Sequence, residues 1–223
     1  MIFRKRLQYF LVKRLNISNK SALVLILEGK ILVNDFSVFE NIEINIQDKI
    51  VFDNQILQEG KQLIYIAFYK PRGIETTLNT EIPDNLKDIL PFEENLFPVG
   101  RLDKESEGLL LLTNDGRTFD KTLRSEHQTE KEYLVKVNKV IDDDFVLKMS
   151  SGITILGKIT LPCQVEKVDN FTFKIILIQG INRQIRRMCY KLGYEVLGLK
   201  RIRIGDILIG DLKPCEYYAV RKT

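Results

Sequence analysis

The hydrophobic pattern changes character along the chain, short and mixed before about residue 57 and longer and more strand-like after it. In the first part, "RLQYFLVKR" sets Leu7, Phe10, Leu11 and Arg14 at helical spacing. "ISNKSALVLILEGK" offers Ser18 or Asn19 as a cap, an apolar face of Ala22, Leu23, Leu25 and Ile26, and Gly29 as a stop. "ILVNDFSV" predicts a strand, an Asn-Asp turn and a second strand, and "DKIVF" a further short strand. Two short helices and a few strands bury little, so residues 1–57 are expected to form a small module. The polar stretch "NQILQEGKQ" is the boundary candidate, which leaves residues 58–223 as the larger domain.

In that domain "LIYIAFYKP" predicts a buried strand ended by Pro71, "NLKDILP" a short helix, "GLLLLTND" a buried strand with a turn, and "GRTFDKTLR" a helix. "KEYLVKVNK" alternates and is rich in β-formers. "DDDFVLKMSSG" opens on acids and closes on glycine, as helices do. "ITILGKITLPCQVEKV" and "FTFKIILIQG" predict strands, "INRQIRRMCYKLGY" a helix with Ile181, Ile185, Met188, Cys189 and Leu192 on one stripe, and "VLGLKRIRIGDILIG" a return to strand. Strands outnumber helices and many are joined by turns, so the expected class is α+β with a mixed, largely antiparallel sheet.

Composition narrows the chemistry. The 223 residues contain no apolar run of the ~18–20 residues that spans a bilayer, and the basic N-terminus lacks the continuous apolar core of a secretory signal. A cytoplasmic monomer is the expectation. Cys163, Cys189 and Cys215 are far apart and odd in number, against a disulfide framework. One histidine, His127, excludes multi-histidine metal sites, and no metal is expected. Without G-x-G-x-x-G or a P-loop there is no sign of a dinucleotide or nucleoside triphosphate. A net charge of +4 is too mild to identify a nucleic-acid binder. Its distribution says more: Ile178 to Arg203 holds seven basic residues (Arg183, Arg186, Arg187, Lys191, Lys200, Arg201, Arg203) against Glu195. Such density suits phosphate contacts, although a solvated face is the commoner meaning of a charge cluster.

The segment "PVGRLDKESEGLLLLTNDG" poses the chemical question. Asp103 stands between basic residues at the mouth of a buried strand. Taken alone, it reads as a loop acid paired with Arg101 or Lys104, since few acids are catalytic. The order of several blocks reverses that reading. "GRLD" with "GLLLLTNDG", "FYKPRGIETT" at 68–77, "KEYLV" at 131–135 and "QGINRQIRRMCYKLGYEVLGLKRIRIG" at 179–205 resemble, in sequence order, the RsuA/RluB/RluE/RluF family of pseudouridine synthases. "HQTEKEYLV", "ILGKITLPCQVEKV" and "QGINRQIRRMC" look most like its RluF branch, which acts on large-subunit (23S) ribosomal RNA. Residues 1–57 resemble the family's alpha-L, S-four-type RNA-binding domain. Two departures stand out: the usual "CSRREA"-like stretch is "ISNKSA", with Lys20 its only charge, and the asparagine of "LNKP" is Tyr69.

The resemblance implies isomerisation of uridine to pseudouridine in RNA, without a cofactor. It implies Asp103 as the catalytic carboxylate, Tyr133 stacking on the uracil and helping to remove the C5 proton, and Arg186 pairing with Asp103. Ile185 becomes the apolar neighbour in the pocket, and Arg101 the side chain that contacts RNA where the target base leaves the stack. Arg183, Lys70 and Arg187 are further substrate-binding candidates. Arg4, Lys5, Arg6, Lys13, Arg14 and Lys20 are those of the small domain. Each has a plain counterpart: Tyr133 as a cross-strand aromatic, Ile185 as core, Arg186 and Arg187 as helix-surface charges, Lys70 as a solvated loop lysine. The same reaction on small-subunit RNA or a tRNA anticodon loop, and a non-catalytic ribosome-assembly factor, remain the alternatives.

Overall fold

The structure, a computed structural model, describes residues 5–92, 95–116 and 129–220. Arg4, His127 and most of the helix expected over "GRTFDKTLR" lie outside the described residues. The chain divides into two compact units, Met1–Leu63 and Ile64–Thr223.

The first unit contains α1 (Leu7–Leu15), α2 (Asn19–Leu27), β1 (Ile31–Val33), β2 (Phe36–Val38), β3 (Ile50–Phe52) and β4 (Gln55–Gln58). Ser18 caps α2: its hydroxyl accepts from the Ser21 N–H at 3.0 Å. The strands form an antiparallel sheet in the order β2-β1-β3-β4. Leu7, Leu11, Ala22, Ile26, Ile31, Ile50 and Leu57 share the core. Leu23, expected on the apolar face of α2, is 37% exposed, because Ala22 and Ile26 take the inward positions with Leu25 packed partly against the same core. The expected boundary after Leu57 cuts through β4. Asp53 and Asn54, both at positive φ, turn the chain back on β3, so "NQILQ" is half of a hairpin rather than a connection. The division falls instead at Leu63/Ile64.

The second unit begins with β5 (Tyr65–Lys70), a 3-10 turn at Leu86–Ile89 where a short helix was expected, β6 (Phe97–Val99), β7 (Glu107–Thr113) and β8 (Lys131–Val137). It continues with α3 (Asp143–Ser151), a two-stranded ribbon of β9 (Thr154–Ile155) and β10 (Lys158–Ile159), then β11 (Gln164–Lys167), β12 (Thr172–Leu177) and α4 (Gln184–Lys191). The last strands are β13 (Val196–Ile204), β14 (Ile207–Leu208) and β15 (Tyr217–Ala219). The main sheet runs β11-β12-β8-β13-β7-β5-β15, with β14 on β13 and β6 on β7. It is mixed: β13 and β7 are the one parallel strand pair among the described residues.

The four leucines of β7 are explained by burial on both faces. Leu110 and Leu112 cluster with Ile66 and Phe68, whereas Leu109 clusters with Ala67, Tyr69 and Ile204. Elsewhere in the sheet, α3 and α4 pack Phe145, Met149, Ile185, Met188 and Cys189 against Val135, Phe173, Ile175 and Leu199. Asp142 caps α3 by accepting from the Phe145 N–H at 2.7 Å. No helix among the described residues is long and apolar enough to cross a membrane.

The two edges of β7 are treated differently. β5 pairs along nearly its whole length, from Tyr65 opposite Thr113 to Lys70 opposite Gly108. The other edge is divided. β13 takes Glu107 and Gly108, and β6 takes Leu111 to Thr113. Residues 100–106 connect β6 to β7 across this division. The parallel contact is unusually close at Gly108, where a Cβ would lie 2.3 Å from the Arg201 carbonyl oxygen and φ is +104°.

Gly108→Ala must therefore push the two central strands apart. We expect a loss of about 3 kcal/mol or more in urea unfolding. Gly157→Ala, at φ +73° with nothing within 4 Å of the added atom, should cost about 1–2 kcal/mol from backbone conformation alone. Equal costs at the two positions would show that the close approach is not a constraint.

Candidate active site

The loop from Gly100 to Ser106 is held at nearly every residue. The Thr76 hydroxyl donates to the Leu102 carbonyl at 2.7 Å and accepts from the Leu102 N–H at 3.2 Å. The Gly73 N–H donates to the Lys104 carbonyl at 2.7 Å, and the Ser106 N–H to the Asp103 carbonyl at 3.0 Å. Arg201 reaches in from β13: its Nε donates to the Leu109 carbonyl at 2.7 Å and its Nη1 contacts the Arg101 carbonyl at 3.4 Å. The Leu109 oxygen is free for this because it falls between the residues paired with β13 and those paired with β6. Arg201 is only 3% exposed, and its Nη2 is buried without a partner.

The Asp103 side chain is left comparatively free. It is 31% exposed, and its nearest cation is Arg183, with Nη1 3.9 Å from Oδ2. It faces a cavity of about 300 Å³ lined also by Arg101, Ser106, Lys131, Tyr133, Arg183, Ile185, Leu199 and Arg201. That volume is nucleoside-sized. Four cations and one carboxylate line it, so its field attracts a polyanion.

The structure thus brings together Asp103, Tyr133, Arg101, Arg183 and Ile185, which sequence reasoning had drawn from three separate blocks. Three expected members stand elsewhere. Arg186 does not pair directly with Asp103. Its guanidinium donates to the Glu105 carbonyl at 3.0 Å and the Val196 carbonyl at 3.2 Å, and meets the Ser106 hydroxyl at 3.4 Å. It anchors the loop and leaves the nearest cationic contact to Arg183. Burial holds Arg186 below the usual arginine range, and its Nε is buried without a partner. Lys70 is not a solvated or RNA-facing lysine. The last residue of β5 points inward, and its fully buried Nζ donates to the Pro71 carbonyl at 2.8 Å and the Ile74 carbonyl at 2.7 Å. Burial lowers its pKa to about 8. Arg187 does not line this cavity but a neighbouring groove.

Several contributors escaped the sequence reading. Arg201 was counted as one of seven phosphate-binding cations, but desolvated inside the sheet it serves the protein's own carbonyls. Arg203 is likewise committed, to Glu132 at 2.8 Å and Glu130 at 2.9 Å. Glu105 binds Arg183 at 2.8 Å, closer than Asp103 does, and that hydrogen bond holds the Glu105 carboxyl below its ordinary range. Tyr69 fills the core beside Leu109 and donates to Glu107 at 3.0 Å. Burial, with that bond, pushes the Tyr69 hydroxyl up to about 12. The i, i+2 spacing of Arg201 and Arg203 suggests one shared face, but an irregularity in the pairing with β8 sets Arg201 opposite Tyr133 and Arg203 opposite the adjacent Glu132, so the two are committed separately. No cluster of His, Cys, Asp and Glu able to hold a metal occurs among the described residues.

A rigidly mounted carboxylate in a cation-lined cavity suits a polyanionic substrate. The family is shown by comparison: the RNA pseudouridylate synthase model matches residues 64–191, and the chain belongs to that family. The chain is 40% identical over 192 residues to the "Dual-specificity RNA pseudouridine synthase RluF" of Escherichia coli, a match covering 85% of this chain and 66% of that protein. It is 31% identical to the "Ribosomal large subunit pseudouridine synthase B" of Bacillus subtilis, over 92% of this chain and 89% of the relative. A crystal structure of a pseudouridylate synthase superposes with a TM-score of 0.68 at 26% identity, covering 97% and 96% of the two chains.

Lys70 generates a pH prediction. Its ammonium titrates at about 8 in the folded chain and near 10.5 when unfolded. Between those values the unfolded chain binds the additional proton, so folding stability gains with rising pH there, and the burial penalty is felt in full below about 8. Relative to Lys70→Met, the wild type should therefore gain about 2 kcal/mol in chemical denaturation between pH ~7.5 and ~10. A constant difference would contradict the buried ammonium.

Proposed function

We propose that the chain isomerises uridine in large-subunit ribosomal RNA to pseudouridine. The observation that carries this reading is the Asp103 carboxylate, fixed by its backbone but little engaged by its side chain, in a cavity shared with Tyr133 and Arg101. The reaction breaks the N1–C1′ bond, turns the uracil, joins C5 to C1′, removes the C5 proton and leaves N1 protonated. It is redox-neutral and transfers nothing to a second molecule, so side chains suffice. Asp103 either attacks C1′ or takes the C2′ proton to give a glycal. Tyr133 presents a ring on which the extruded uracil stacks. Arg101, exposed at the cavity rim, reaches into the gap that base leaves and meets the backbone phosphates. Arg186 acts as a positioning residue, through the Glu105 and Ser106 segment that follows Asp103.

The large-subunit target is supported by the name of the Bacillus subtilis relative, matched over most of both chains. A small-subunit pseudouridine synthase A of Haemophilus influenzae is 27% identical, a weaker likeness. In the first unit, Lys5, Arg6, Lys13, Arg14 and Lys20 are all exposed, which supports an S-four-type RNA-binding role for it.

Asp103→Asn keeps the shape and removes the charge. We expect pseudouridine formation in unmodified large-subunit RNA, followed by tritium release from C5, to fall by about 10³-fold or more, with RNA still bound. Activity near that of the wild type would remove Asp103 from the reaction.

A further inference from the structure

Beside the active-site cavity lies a second concavity of about 440 Å³, lined by Ile155, Leu156, Arg183, Arg186, Arg187, Tyr190 and Lys191. It runs between α4 and the tip of the β9–β10 ribbon. Its lining holds four cations and no acid. The arrangement follows from helix periodicity: Ile185, Met188 and Cys189 are buried, which turns Arg187, Tyr190 and Lys191 outward. Nothing in the reaction described above uses Tyr190, Lys191 or Leu156.

We infer that this groove carries a single-stranded segment of the substrate RNA next to the extruded uridine, with one base stacked on Tyr190. The inference rests on the proposed reaction and adds the path of the RNA to it.

Three observations point to this occupant. First, Arg183 lines both the cavity and the groove, so the two adjoin at that side chain and a strand leaving the active site meets the groove there. Second, Tyr190 is 79% exposed, an extreme value for a ring in a cationic surface. A duplex keeps its base faces covered, whereas a single strand can lay one on an aromatic ring. Third, Leu156 holds φ +49° and is 60% exposed at the ribbon's turn. A leucine gains nothing from either condition in the free protein. As an apolar edge facing Tyr190 across a basic trough, it suits a nucleobase. The cations differ in freedom. Arg186 is bound to two carbonyls, and Arg187 donates to Asn182 through Nε at 3.0 Å, whereas Lys191 is exposed and has no partner among the described residues. Lys191 is therefore the clearest phosphate contact.

The test compares the full chain with Tyr190→Ala, Tyr190→Phe and Lys191→Ala. The probes are a fluorescein-labelled single-stranded RNA of about 12 nucleotides containing one uridine, and the same strand in a blunt duplex. Tyr190→Ala should bind the single strand about fivefold or more weakly and the duplex as before, and Tyr190→Phe should restore single-strand affinity. Lys191→Ala should lower the salt slope of single-strand binding by about 0.7. Both residues are exposed, so thermal midpoints should match the wild type. Unchanged affinity and slope, or an equal loss for strand and duplex, overturns the groove. If the wild type makes no pseudouridine in ribosomal RNA while Tyr190→Ala still loses single-strand affinity, the groove stands and the assigned reaction falls.

Discussion

The close approach of two parallel strands at Gly108 is the constraint on which the site depends. With no Cβ in the way, the Arg201 backbone sits against β7, and the register Arg201 opposite Gly108 follows. That register sends the Arg201 side chain along an edge that neither β13 nor β6 occupies, where the Leu109 carbonyl would otherwise lack a donor. From there the guanidinium reaches the Arg101 carbonyl, two residues before Asp103. A separation of the strands by the width of a methyl group would withdraw both contacts. Fold and site are thus joined by a missing side chain.

The cations of this domain fall into populations that net charge cannot distinguish. Lys70 and Arg201 are buried and satisfy backbone carbonyls. Arg203 is held by two glutamates, and Lys200 lies over the Tyr69 ring. Lys70, Arg201 and Arg203 cannot neutralise a phosphate without leaving a carbonyl or carboxylate unmatched. Arg101 and Lys191 remain exposed, and with Arg183 and Arg187 they mark the cavity and groove. A band of seven basic residues in sequence therefore becomes a short basic track over a charged interior.

Block order made the cavity legible in the sequence, because Asp103, Tyr133, Arg101, Arg183 and Ile185 lie in stretches whose spacing fits a known arrangement. Strand content and the helix after Arg183 were legible from periodicity. The partner of Asp103 was not. Arg183 and Arg186 are three residues apart at the start of one helix. Their roles are decided by Arg183 entering that helix at φ +54°, a local geometry that no hydrophobic pattern encodes. Lys70 was misread for a related reason. A lysine before Pro-Arg-Gly looks like a loop residue, yet the turn folds its carbonyls back as a cage around the ammonium. The domain boundary was displaced because Asp53-Asn54 is a tight-turn signal hidden in a polar stretch.

Glu105 explains how Asp103 can be surrounded by positive charge and still be available. A carboxylate clamped by a bidentate guanidinium has its lone pairs occupied and approaches a sugar poorly. Here the closest guanidinium, Arg183, is drawn to Glu105 at 2.8 Å and stays 3.9 Å from Asp103. The neighbouring Arg186 is occupied by backbone carbonyls. Asp103 thus feels the field of both cations without being capped by either. The surrounding hydrogen bonds fix its main chain and leave its side chain comparatively free, the combination that the proposed nucleophile or base requires.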